Sequence, residues 1–109
     1  MTETPTTGQT RAQAAVGDIA PKLAQLTDDV LFGDVWERPE LPKRDRSLIT
    51  VASLITSGSV EQLPNHLRLA KANGVTEAET IETMIHLAFY AGWPKAMSAV
   101  RIAKTVFAE

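Results

Sequence analysis

The run Leu48-Ile49-Thr50-Val51-Ala52-Ser53-Leu54-Ile55 is apolar nearly all the way round a helical wheel, and it constrains the fold more than any other stretch. A helix with so little polar surface is expected to be surrounded by others. Arg46, Thr50, Ser53 and Ser57 form its one narrow polar stripe. The spacing predicts this central helix over residues 43–56. No stretch shows the sustained period-two alternation of a half-buried strand. The chain therefore reads as all-α: one compact domain of five or six helices over residues 10–109, behind a short polar mobile lead-in over residues 1–9.

The punctuation elsewhere is helical too. Residues 10–16 read as a short first helix ended by Gly17, and Pro21 suits the opening of a second. Leu23, Leu26, Val30 and Leu31 give that second helix an apolar stripe running towards Phe32. Gly33, Pro39 and Pro42 make the next stretch a loop. Leaving its Phe32, Val35 and Trp36 in water would forfeit about 2 kcal/mol each, so a packed wall is expected there. Ser59 with Gln62, and Thr76 with Glu79, read as two capping boxes. Pro64 predicts a slight bend early in the helix after the first box. Asn73-Gly74 reads as a left-handed stop. Gly92 closes the next helix, and Pro94 opens a last one to about Ala108, with a small-residue stripe of Ala96, Ala99, Val100, Ala103 and Phe107.

Composition excludes several classes of function. The chain has 109 residues, enough for one core. A net charge of −2 with no basic run gives no footprint for nucleic acid. No apolar stretch approaches the ~20 residues of a membrane-spanning helix. The first residues lack the basic-then-apolar layout of a signal peptide, so a cytoplasmic protein is expected. With no cysteine there is no disulfide, no thiolate nucleophile and no Cys-based zinc site.

Two histidines remain as candidate chemistry. His66 shares a helical face with Leu63, Leu67 and Ala70, so it is either a packed core group or a proton-transfer group. His86 follows Glu79, Glu82 and Thr83, with Tyr90 one turn later. It reads as an exposed partner of Glu82 or as the lining of a cleft. Arg38, Arg44 and Arg46 cluster before the central helix, where positive charge opposes the macrodipole, a hint of an anionic partner that Asp45 already answers locally. The histidines have no metal-ligand spacing, and neither a phosphate loop nor a nucleophile elbow is present.

Four blocks then carry a resemblance. Phe32-Gly33-Asp34-Val35-Trp36-Glu37-Arg38-Pro39, Arg46-Ser47-Leu48-Ile49-Thr50, His66-Leu67-Arg68 with Asn73-Gly74-Val75-Thr76, and Tyr90-Ala91-Gly92-Trp93-Pro94 resemble, in order and spacing, the gamma-carboxymuconolactone decarboxylase family. The similarity covers about Leu23 to Phe107. The wider alkylhydroperoxidase-D-like superfamily uses a Glu, a Cys-x-x-Cys pair and a His. Those positions fall here at Ser47, at Ser59 and Gln62, and at His66, so only the histidine is retained. Disulfide exchange needs two thiols, which excludes thiol peroxidase or reductase activity.

The resemblance implies an all-helical subunit in a ring-like homo-oligomer, a homohexamer built as a trimer of dimers or a homotrimer. It implies cofactor-free decarboxylation of a carboxymuconolactone-type lactone, as in protocatechuate breakdown, with no metal. On that reading His66 is the general acid/base, Arg38 and Arg46 hold carboxylates or stabilise the dienolate, and Trp36, His86 and Tyr90 line the pocket. The alternatives are a lactone isomerase or tautomerase, and a non-catalytic oligomeric binding protein.

Overall fold

The computed structural model describes residues 8–109, and the chain gathers into two compact units that divide between Leu41 and Pro42. Of the lead-in expected over residues 1–9, residues 1–7 lie outside the described residues. The architecture is all-helical, as expected, with no strand among the described residues. The α-helices are α1 (Arg11–Val16), α2 (Pro21–Gln25), α3 (Lys43–Ser57), α4 (Leu63–Ala72), α5 (Glu77–Tyr90) and α6 (Trp93–Phe107). A π-helical segment, Leu26–Phe32, and a 3-10 turn, Val35–Glu37, separate α2 from α3.

In the first unit, Thr10 and Gln13 cap α1 reciprocally, each side chain accepting the other's backbone N–H at 3.1 and 3.0 Å. The Thr10 hydroxyl also donates to Asp28 at 2.7 Å, which ties α1 to the π-helical segment. The stripe expected on the second helix is not buried: Leu23, Leu26, Val30 and Leu31 are all exposed. The chain leaves α geometry after Gln25, so the expected stripe is divided between α2, which carries Leu23, and the π-helical segment, which carries Leu26, Val30 and Leu31. The packed wall forms only at Trp36, which is buried with its ring 5.6 Å from that of Phe32. Phe32 and Val35 themselves stay exposed.

The second unit holds a continuous core. α4 and α5 each pack on both α3 and α6. Val51 and Ile55 of α3, Leu63, Leu67 and Ala70 of α4, Val75, Met84 of α5, and Ala99, Ala103 and Val106 of α6 form one buried cluster. The alanines of α6 let α4 and α5 approach closely. Val106 replaces the expected Val100 and Phe107 on that buried stripe. α3 is less enclosed than its composition implies. It buries Ser47, Val51 and Ile55 at i, i+4 spacing, while Ile49 on another side is 58% exposed.

Caps explain the helix boundaries. Thr76 and Glu79 form the expected capping box, with bonds of 2.9 and 3.0 Å. Ser59 and Gln62 do not. The Ser59 hydroxyl lies 2.6 Å from that of Ser57, and α4 starts later, with Gln62 at the cap position and no side-chain bond. Pro64 falls in the first turn of α4, where no backbone N–H is needed, so it starts the helix without interrupting its ladder. Gly74 (φ +97°) turns the chain out of α4 and Gly92 (φ +113°) turns it from α5 into α6, both in the region open to glycine. Asn73 stays on the negative-φ side. Its contribution is its side chain, which donates to the fully buried Ser47 hydroxyl at 2.9 Å.

Candidate functional site

His66 lies in the second turn of α4, between the buried Leu63 and Leu67. Its side chain is half-buried, and the cost of desolvating an imidazolium lowers its pKa from the ordinary value of 6.5. At neutral pH the ring is therefore mostly the neutral tautomer, which carries one donor and one acceptor nitrogen. Nδ1 is buried without a hydrogen bond, while the residue is engaged through another interaction.

Arg46 is half-buried in the first turn of α3, and its carbonyl accepts the Thr50 hydroxyl at 2.8 Å. The neighbouring Ser47 is fully buried and bonded to Asn73. It links α3 to the end of α4, a role that residue type alone did not signal. Arg44 pairs with both Asp45 (3.4 Å) and Glu79. The expected answer from Asp45 is thus present, and Glu79 adds a second carboxylate from across the fold. The Thr76 amide and then the Thr76 hydroxyl hold the Glu79 carboxyl below its usual range, with Arg44 adding to them.

His86 and Tyr90 lie together on α5, rings stacked with centroids 4.8 Å apart and planes at 26°. Both are exposed, Tyr90 by 78%. No ion pair joins His86 to Glu82 among the described residues, so the stack takes the place of the expected i, i+4 pair. Among the described residues, no hydrogen bond or ring contact joins His66 to this stack. Trp36 and Arg38 belong to the first unit, where Arg38 lies 3.7 Å from Glu40 in an exposed pair.

Each unit has an open cleft. That of the second unit, about 200 Å³, is bounded by Leu54, Ile55, Gly58, Leu63, Pro94 and Ala99. Leu63 lies one helical turn before His66, and no predicted site residue lines the cleft itself. That of the first unit, about 740 Å³, opens between polar residues of α1, α2 and the π-helical segment. No cluster of three or more His, Cys, Asp or Glu side chains that could hold a metal occurs among the described residues. None of their helices is long and apolar enough to cross a membrane.

The sequence profile described as "Carboxymuconolactone decarboxylase family" matches residues 21–105. The chain belongs to this family. The match takes in the α2-to-α6 region, with His66, Arg46, His86 and Tyr90 inside it. A 4-carboxymuconolactone decarboxylase of Acinetobacter baylyi is 42% identical over 78 residues, 72% of this chain and 58% of that protein. A nitrosuccinic acid decarboxylase of Metarhizium robertsii is 38% identical over 76 residues, 70% of this chain and 53% of that protein. An uncharacterised 15.0 kDa protein of Paracoccus denitrificans is 29% identical over 97 residues, 87% of this chain and 72% of that protein. The chain thus spans a little over half the length of the two named decarboxylases.

Proposed function

We propose that the chain is a cofactor-independent decarboxylase acting on a carboxymuconolactone-type acid, with His66 as proton donor, in a self-associated state. Membership of the decarboxylase family, with the half-buried His66 on α4 inside the matched region, is the observation that carries this reading. The relatives' names suggest a substrate class. A nitro group beside a carboxylate, like a conjugated lactone, takes up the electron pair that carbon dioxide leaves behind. The substrate therefore supplies its own electron sink.

The step follows from that chemistry. The bond between the carboxylate carbon and the ring breaks, carbon dioxide departs, and the electron pair of that bond delocalises through the conjugated system to the lactone carbonyl oxygen. The imidazolium of His66 gives its proton to carbon, and solvent restores it. Arg46, on the same unit, supplies fixed positive charge for a carboxylate or for the developing dienolate. An anionic substrate near His66 favours the imidazolium and offsets the desolvation that lowers its pKa in the free protein.

Purified protein mixed with carboxymuconolactone and followed by ultraviolet absorbance and carbon dioxide release tests the reaction. Turnover is expected, and His66→Ala is expected to reduce it by about 10²–10⁴-fold, the usual scale for one acid–base group. Carbon dioxide release undiminished by His66→Ala in a folded protein overturns the role of His66. No turnover of this substrate class by the unaltered chain overturns the reaction.

A further inference from the structure

An aromatic seam runs across the corner between α5 and α6. Ile85 and Phe89 lie one turn apart on α5, the Phe89 ring meets Trp93 edge-on at 5.7 Å, and Met97 and Val100 continue along α6. All five are exposed, Phe89 by 76% and Trp93 by 59%. Elsewhere on the same two helices the burial is orderly: Met84 is fully buried, and so, nearly, are Ala96, Ala99 and Ala103. The seam is therefore a second apolar face of a hairpin whose first face already makes the core.

We propose that this Ile85–Phe89–Trp93–Met97–Val100 seam is the surface through which one copy of the chain binds a second copy. Aromatic side chains bury about 150–250 Å² each, so the seam offers roughly 500 Å² of apolar surface. That is near the top of what a monomer leaves in water, and most of the ~800 Å² per partner of a standard interface. Charge supports self-pairing over a partner of one sign. Glu82 stands one turn before Ile85, while Arg101 and Lys104 stand one turn after Met97 and Val100. All three are exposed, and none forms an ion pair within the chain among the described residues. A two-fold arrangement lets each copy set its acid against the other's bases. The exposed Phe89–Trp93 pair supplies the kind of rigid aromatic anchor that dominates interface energies.

This inference rests on the self-association in the proposed function, not on its chemistry. Sedimentation velocity of the full chain over a hundredfold concentration range separates the two. The unaltered chain is expected to sediment as a multiple of 11.8 kDa. Phe89→Glu, and separately Met97→Lys, are expected to raise the dissociation constant at least tenfold with an unchanged far-ultraviolet circular dichroism spectrum. The like exposed substitution Ile49→Glu on α3 is expected to change it less. A chain that is monomeric throughout overturns self-association itself. An oligomer that survives both seam substitutions, or that yields only to Ile49→Glu, keeps self-association and overturns this surface.

Discussion

The two units place their apolar residues differently. The second, from Pro42 on, sends Val51, Ile55, Leu63, Leu67 and Met84 into one core lined by the alanines of α6. Within the described residues of the first, only Ala24 and Trp36 are buried hydrophobics, while Ile19, Leu23, Leu26, Val30, Leu31, Phe32 and Val35 are exposed. Apolar content alone does not make a core. A core also needs facing helices to receive those residues, as α3, α4, α5 and α6 receive one another's in the second unit.

The sharpest way to break this contrast is a pair of truncations. Met84→Ala opens a cavity where relative exposure is 0%, and is expected to lower unfolding free energy by about 2–5 kcal/mol. Leu26→Ala, at a site already in water, is expected to cost under about 1 kcal/mol. Urea denaturation of both variants measures the difference, and equal losses would dissolve the distinction.

The contrast also explains what was legible in the sequence. The extent of α3, the Thr76–Glu79 box, and the Gly74 and Gly92 stops are set by residues acting within a few positions of themselves, and these appear as read, whereas the enclosure expected for α3 does not. The π-helical segment was missed because it has no local signature: its residues fit an α-helical stripe equally well. The Ser59–Gln62 box failed because two hydroxyls, Ser57 and Ser59, found each other first. At the candidate site, His66 was readable from type and position, whereas the burial of Ser47 and its bond to Asn73 join residues 26 positions apart. The His86–Tyr90 stack competes with a charge pair of identical spacing, so sequence spacing could not choose between them.

The Asn73–Ser47 bond gives a second, smaller test of how the core of the second unit is held. Asn73→Ala leaves the buried Ser47 hydroxyl without its donor and is expected to cost about 1–3 kcal/mol. Adding Ser47→Ala removes the stranded group, so the double variant is expected to recover part of the loss. If it falls by the sum of the two single changes, the bond is not what holds α3 to the end of α4. Smaller again is Thr76→Ala, which removes the α5 cap at an expected cost of about 1 kcal/mol.

The smallest effect tests whether His66 shares the environment of the core around it. Burial lowers its folded-state pKa below the ordinary 6.5, so between those two values the unfolded chain binds more protons than the folded one. Stability from this group is therefore complete above about pH 6.5 and is lost as the pH falls through the folded-state value. His66→Gln is expected to flatten that acid-side slope in a series of urea titrations. Catalysis should respond with the opposite sign. If His66 donates the proton, kcat/KM falls as the pH rises through the lowered pKa, because the imidazolium disappears. Stability that improves and turnover that declines across one pH interval, both abolished by one substitution, would tie the two behaviours to a single ring. A stability slope that persists in His66→Gln would place the titrating group elsewhere, and would leave the desolvation of α4 without an energetic consequence.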